Sequence, residues 1–392
     1  MKIEQRLWKG TGWSEPRRAG DDAVAQTAEL VLVFGDTSLL VPEAPALERL
    51  GALYPNALLF GCSTAGEILG TEVRERSLVA TAVAFADAQF RSASVVLAEC
   101  GGSHAAGEKL AALLPLDVPG ADGAPGEPLR HVFVLSDGLN VNGSDLVRGL
   151  AARLPAAVSV TGGLAGDGER FAQTRVVIGA RCETGLVAAL GFYGEHLTVG
   201  FGSLGGWDPF GPERLITRSQ GNVLHEFDGQ SALGLYKRYL GEHAQRLPAS
   251  GLLFPLSIRT KTGDVPVVRT ILAVDEATQS LTFAGDVPEG AYARLMKANF
   301  DRLIDGASDA ARASHGAGGV GAPELAILIS CVGRKLVLRQ RVEEEVEGVR
   351  EVLGEAAVLA GFYSYGEISP FVRGARCELH NQTMSLTTLV ET

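Results

Sequence analysis

Three stretches of the chain end an apolar run with a glycine and then a carboxylate. They read Gly61-Cys62-Ser63-Thr64-Ala65-Gly66-Glu67, Thr161-Gly162-Gly163-Leu164-Ala165-Gly166-Asp167 and Gly361-Phe362-Tyr363-Ser364-Tyr365-Gly366-Glu367. Glycine admits positive φ and lets a backbone or a ligand approach closely. Backbone N–H groups exposed at such a turn can hold an anion, and the acid that follows can take an amine or a hydroxyl. Three turns gathered around one hollow would suit a zwitterionic or polar small molecule. Each glycine can equally be a tight turn and each acid a cap on a neighbouring N–H, so both readings stay open. The turns are not phosphate loops: no GxxxxGK[ST] occurs, and Gly163 to Gly168 lacks the GxGxxG spacing.

Other residues could carry nucleophilic or acid–base chemistry. Cys62 and Cys331 both follow apolar runs. A thiolate needs a neighbouring base or positive field; Arg334 could serve Cys331, and His380 could approach either. Glu67 with Glu367 could work as an acid–base pair if their pKa values were split. A hydrolase is therefore an alternative, although burial as a small hydrophobe is the usual fate of such a cysteine. The expected role is binding, without catalysis.

These residues need a frame, and a three-part pattern supplies it. Apolar runs at Leu30–Phe34, His131–Leu135 and Leu325–Ile329 are four or five residues long, as expected of strands buried on both faces. Helical spacing follows at Pro42–Leu53, at Ser144–Leu154 with Ser144 and Asp145 as N-caps, and at Val342–Leu353. Second strands at Leu58–Phe60, Val158–Val160 and Val358–Ala360 then lead into the glycine turns. A unit met three times reads as an internal repeat. Strand-rich segments are expected at Ser77–Phe85, Arg175–Phe201, Val265–Val274, Gln279–Phe283 and Ser385–Val390, and a long helix at Gly221–Gly241. Pro119–Pro128 and Gly306–Pro323 read as surface loops. The predicted fold class is α/β: layered mixed sheets flanked by helices, in two interlocked halves.

Composition narrows the function. The net charge of −11 opposes nucleic-acid binding, which needs a clustered positive surface. The nearest basic cluster, Arg334, Lys335, Arg339 and Arg341, runs straight into Glu343, Glu344 and Glu345 and reads as solvated surface. No apolar run is long enough to cross a membrane. Five scattered cysteines form neither a disulfide framework nor a CxxC motif, which fits a reducing cytoplasm.

The segment Leu59 to Ile68 resembles the signature of the N-terminal FIST domain. Ser136-Asp137-Gly138, Asn142-Gly143, Gly162 to Asp167 and Phe171 follow in the order of that domain. Gly221-Asn222, Asp228-Gly229 and Tyr236 resemble the junction into the C-terminal FIST domain. Ser330 to Arg334, Gly361-Phe362-Tyr363, Gly366-Glu367 and His380-Asn381-Gln382-Thr383 resemble that second domain. The resemblance implies an N-terminal extension over 1–24, a FIST N-type domain over 25–220 and a FIST C-type domain over 221–392. It implies a bacterial, cytoplasmic sensory protein that binds a small ligand such as an amino acid and regulates a separate partner, for instance a histidine kinase or cyclase. The expected pocket is lined by Cys62, Ser63, Thr64, Glu67, Gly163, Asp167, Cys331, Arg334, Tyr363, Glu367 and His380. A subset of the family senses nitric oxide through haem and controls a histidine kinase of a two-component system. Were this chain similar, haem b would need an axial ligand, with His380 the first choice and His225, placed in the long helix, the second.

Overall fold

The computed structural model describes residues 1–18, 24–120, 126–261, 266–315, 322–371 and 375–391. The three predicted apolar runs are strands, Leu30–Gly35, Glu127–Ser136 and Leu325–Cys331, each at the centre of its own sheet. Each is followed by helix: α1 (Pro45–Leu53), then α3 (Gly143–Arg153) after an earlier α2 (Ser103–Leu113), and α7 (Val342–Leu353) behind the short α6 (Val332–Leu338). The chain then returns as a second strand, Leu58–Ser63, Ser159–Leu164 or Val358–Ser364, parallel to the first. A crossover helix is what a parallel pair requires.

The three sheets share one strand order. On the far side of each first strand lies an antiparallel neighbour: Leu78–Ala84, Leu186–Tyr193 or Met384–Glu391. On the far side of each second strand lies a strand borrowed from another sheet's turn. Val176–Ile178 leaves the second sheet's turn and pairs with Leu58–Ser63 in the first. Glu67–Leu69 leaves the first and pairs with Val358–Ser364 in the third, and Gly366–Pro370 leaves the third and pairs with Ser159–Leu164 in the second. This cyclic exchange interlocks the sheets. Their inner faces meet in one core that includes Phe34 and Phe60, Phe133 and Leu135, and Ile329 and Phe362. Outer faces are covered by α1 on the first sheet and by α2 with α3 on the second. The third is covered by α7 and by α5 (Phe300–His315).

Residues 208 to 297 build a fourth, antiparallel sheet with its own core around Phe227, Leu281 and Phe283. This module corrects one expectation. The predicted helix over Gly221–Gly241 is helical only in α4, Ala232–Leu240, capped by the Ser231 hydroxyl accepting from Gly234 N–H; Val223–Phe227 is a strand, and His225 lies on it. The segment read as a loop from Gly306 is helical as far as His315, while residues 316–321 lie outside the described residues. At α3 the N-cap is Asn142, whose side chain accepts from Asp145 N–H, in place of Ser144 and Asp145.

Candidate functional site

Loops follow the carboxyl ends of the parallel strands, and in α/β sheets that is where ligands bind. Here three such ends meet at one cleft of about 300 Å3. The first sheet contributes Asp36, the Thr64–Glu67 turn, and Glu75 with Arg76 from the following hairpin. The second contributes Asp167 to Arg170, and the third contributes Val332, Lys335 and Leu336 of α6. Acidic side chains outnumber basic ones five to three on this wall. A separate hollow of about 310 Å3 lies in the fourth sheet's module, lined by Arg214, Phe227 and Tyr239 among others; it draws on none of the strand ends.

Lys335 organises the cleft. Its Nζ donates to the Ala65 carbonyl at 2.6 Å, pairs with the Glu75 carboxylate at 2.6 Å and sits 5.8 Å from the Tyr363 ring centroid. Gly66, at φ 140°, leaves room for it: a Cβ there would lie 2.9 Å from that Nζ. Lys335 holds the Glu75 carboxyl below the usual range. Across the cleft Arg170 pairs with Asp36 at 3.2 Å. Burial works to raise Asp36, but hydrogen bonds from Ser38 and the pairing with Arg170 leave it lowered.

Of the residues expected in the pocket, Thr64, Glu67 and Asp167 line this cleft. Asp167 is committed within its own loop: Oδ1 accepts from Phe171 N–H and the Tyr365 hydroxyl, and Oδ2 from the N–H groups of Ala172 and Gln173. Phe171, held at φ 50°, stacks its ring on Tyr365. The other expected residues are not on the cleft. Cys62 is fully buried among Phe34 and Phe60. Ser63 Oγ accepts from Arg175 N–H, and Gly163 pairs in register with Glu367. Cys331 stands at the N-cap position of α6, fully buried and with no capping hydrogen bond from its side chain. Burial drives the thiols of Cys62 and Cys331 well above the usual range, so neither is a ready nucleophile.

Arg334, read as solvated, is fully buried and pairs with Glu345 through Nε at 3.0 Å and Nη2 at 2.7 Å. It also donates to the carbonyls of Gly205 and Leu303. Tyr363 donates its hydroxyl to the same Glu345 at 2.7 Å. Glu367 lies in the core with Oε1 accepting from Ser364 and Oε2 from Thr383 N–H and hydroxyl. The repeated carboxylates therefore do not share one hollow: Glu67 and Asp167 meet there and Glu367 does not. Sequence reading missed Asp36, Glu75, Arg76, Glu169, Arg170 and Lys335. Only Lys335 had stood out, as part of the basic cluster.

Burial pushes Glu67 up to about 7, against the lowering effect of Ser77 and Thr64, and Glu367 up to about 8, against Ser364 and Thr383. Burial lowers His131 to about 3 and His380 to about 4. The carboxyls thus favour folding in full below about 4.5, their unfolded value, and that contribution disappears as pH rises through 7 to 8. The histidines contribute above about 6.5, and that contribution disappears as pH falls towards 4. With two groups of each kind the opposing slopes cancel between about 4.5 and 6.5, so stability is expected to be flat across that interval and to fall on both sides of it. Glu367→Gln, which mimics the protonated carboxyl, should flatten the alkaline limb. Urea midpoints of the two proteins from pH 5 to 9 check this, and parallel alkaline limbs would remove Glu367 as the cause.

Haem does not fit the expected ligands. His380 is 1% exposed, donates Nε2–H to the Ser369 carbonyl at 2.8 Å and meets the Phe371 ring edge-on. His225 is on the fourth sheet, and neither histidine borders the cleft. Among the described residues no group of three or more His, Cys, Asp or Glu is arranged to hold a metal ion, and no helix is long and apolar enough to cross a membrane.

A cleft walled by the ends of interlocked α/β sheets, lined by charged side chains beside Ala65, Val332 and Leu336 and by no thiol, has the form of a site for a small molecule. The family model of the FIST N domain matches residues 29–230 and that of the FIST C domain matches 232–370, so the chain belongs to the FIST family. That family is associated with signal transduction and small-ligand sensing. No curated protein matches the chain.

Proposed function

We propose that the chain is a cytoplasmic sensor that binds a small, polar, amine-bearing molecule in the cleft and passes the signal to a separate signalling protein. One observation carries the reading: three strand ends from three interlocked sheets supply the walls of one acid-rich cleft. An ammonium group suits the side formed by Asp36, Glu67, Glu75 and Glu169, with Thr64 as a further polar partner. A ligand touching all three sheets would change their mutual positions, and a partner that contacts more than one sheet would read that change. The partner is a signalling protein such as a histidine kinase or cyclase. Catalysis and haem have no part in this reading.

A thermal-shift screen against amino acids and small amines tests it. At a concentration of about 100 times its Kd, a ligand should add about 2.7 kcal/mol to stability, a rise of several degrees in Tm. Glu75→Gln removes one carboxylate from the acidic side and leaves Lys335 uncompensated, and should weaken binding of the same compound about tenfold while the fold is kept. If no amine-bearing compound moves the Tm of the wild-type protein, the proposal fails.

A further inference from the structure

Glu67 lines the cleft yet is 1% exposed, and among the described residues it makes no ion pair. Its Oε1 accepts from the Thr64 hydroxyl at 2.6 Å and its Oε2 from the Ser77 hydroxyl. Neither partner carries charge. Burial without a counter-charge favours the neutral form of a carboxyl. A hydroxyl both gives and accepts hydrogen bonds, so the same two partners serve the acid and its anion. Burial outweighs Ser77, Thr64 and the more distant Lys335 and places the group at about 7.

The internal repeat supplies a twin. Glu367 also accepts from a hydroxyl three residues earlier, Ser364, and from Thr383, which like Ser77 stands just before its sheet's third strand. Glu367 is fully buried and off the cleft, so of the two only Glu67 can answer a ligand there. Charged groups face Glu67 from all three sheets. The first gives Asp36, then Arg74, in register with Glu67, and Glu75 and Arg76; the second gives Asp167, Glu169 and Arg170, and the third Lys335. Most are already answered: Asp36 by Arg170, Glu75 by Lys335, Arg74 by Glu72 and Asp167 by N–H groups of its own loop. Asp36 and Glu75 are held below the usual carboxylate range, so both stay charged where Glu67 changes. The position also matters. The Glu67 backbone pairs with Phe362 of the third sheet, while Thr64 and Ser77 hold its side chain to the first. A change in its charge falls on the strand that laces those two sheets together.

We propose that Glu67 is a proton site coupled to the cleft, holding a proton in the free protein and releasing it when a cation binds. The ammonium ligand keeps its own protons. The carboxyl O–H bond breaks, its electron pair stays on the carboxylate and the proton passes to solvent. This rests on the amine-binding reading above and adds its regulation: affinity for the cation falls as the medium turns acidic.

Two measurements test it. Carbon-13 NMR of protein labelled at the glutamate carboxyls should show, without ligand, a resonance that titrates near neutrality in the wild type and is missing from Glu67→Gln. Calorimetry with 1,4-diaminobutane, whose amines stay charged below pH 8, is then run in two buffers of unlike ionisation enthalpy, so that the difference counts protons. The wild type should release about one proton per cation at pH 5.5 and about a tenth of one at pH 8, and bind about 30-fold more weakly at the lower pH. Glu67→Gln should release none and bind equally at both. Thr64→Val, checked for an unchanged urea midpoint, should move the wild-type profile to higher pH, since it removes a donor to the charged form; a profile left in place overturns the assignment. Binding with no proton release, or with the same release in Glu67→Gln, overturns the exchange and leaves the amine-binding reading standing. A Glu67 resonance that titrates near neutrality, with no amine bound even at pH 8, keeps the proton site and overturns that reading. Absence of such a resonance overturns the proton site itself.

Discussion

Gly162→Ala is expected to leave no stably folded protein. A Cβ built on Gly162 falls 1.8 Å from the Val134 carbonyl oxygen on the neighbouring parallel strand. The residue also has φ 149°, a conformation that alanine rarely adopts. The same collision waits at Gly61, 1.7 Å from the Val33 oxygen, and at Gly361, 1.9 Å from the Leu328 oxygen. Register explains the recurrence, because these pairs sit opposite each other in the three parallel ladders. The obstructing atoms are backbone in the centre of a sheet, so relief requires moving a strand by more than an ångström inside a close-packed core. The cost should exceed about 4 kcal/mol, the range reserved for the severest single changes. Gly51 in α1 is the control, since a Cβ there meets nothing within 4 Å, and Gly51→Ala should stabilise by up to about 1 kcal/mol through helix propensity. Soluble yield and urea midpoints of the two variants decide the matter. A midpoint for Gly162→Ala close to that of the wild type would show that the parallel pair yields easily.

The same register shows how far the sequence could be read. Apolar runs identified the first strands correctly because strands covered on both faces cannot alternate. The glycine-and-acid frame, however, slipped by one residue in the second unit. Glu67 and Glu367 lie six residues beyond Gly61 and Gly361, but Asp167 lies five beyond Gly162. Structurally, Glu67 pairs with Phe362, Glu367 with Gly163 and Val176 with Cys62. Each partner directly follows its ladder's glycine, so Val176 is the third counterpart and Asp167 is free to order its own loop. Periodicity could not show this, since the pairings arise only when strands are exchanged between sheets. The cleft was hidden for the same reason: Asp36, Glu75, Arg170 and Lys335 belong to segments far apart in sequence and carry no local motif. The helix Phe300–His315 was lost because the loop reading rested on Gly316, Gly318, Gly319 and Gly321, which follow it, and was extended back to Gly306 over alanines that favour helix. Gly306 is there because a Cβ would lie 2.1 Å from the Gly205 carbonyl oxygen, a packing requirement that sequence reading takes for a loop signal.

Arg334→Met should destabilise the protein by about 3–5 kcal/mol, the usual result of stranding one partner of a buried ion pair. The arginine touches no cleft residue in its hydrogen bonding; it ties Glu345 on α7 to the carbonyls of Gly205 and Leu303. Glu345 in turn receives the hydroxyls of Ser330 and Tyr363. Removing the guanidinium leaves a buried carboxylate with two hydroxyl donors and deprives two carbonyls of their donor. Glu345→Gln keeps the shape and lifts the stranded charge, so the double variant Arg334→Met/Glu345→Gln should recover part of the loss, with a coupling of about 1–3 kcal/mol. It should not return fully, because the carbonyls of Gly205 and Leu303 still lack a partner. Urea denaturation of the four proteins closes the cycle. The experiment also separates two roles for a residue placed among the ligand contacts on sequence grounds. A binding arginine would lose affinity and keep stability, whereas a keystone loses stability and keeps affinity in whatever fraction stays folded. Calorimetric titration of Arg334→Met under conditions where it is folded should therefore give the wild-type affinity, and a clear loss there would return Arg334 to the site.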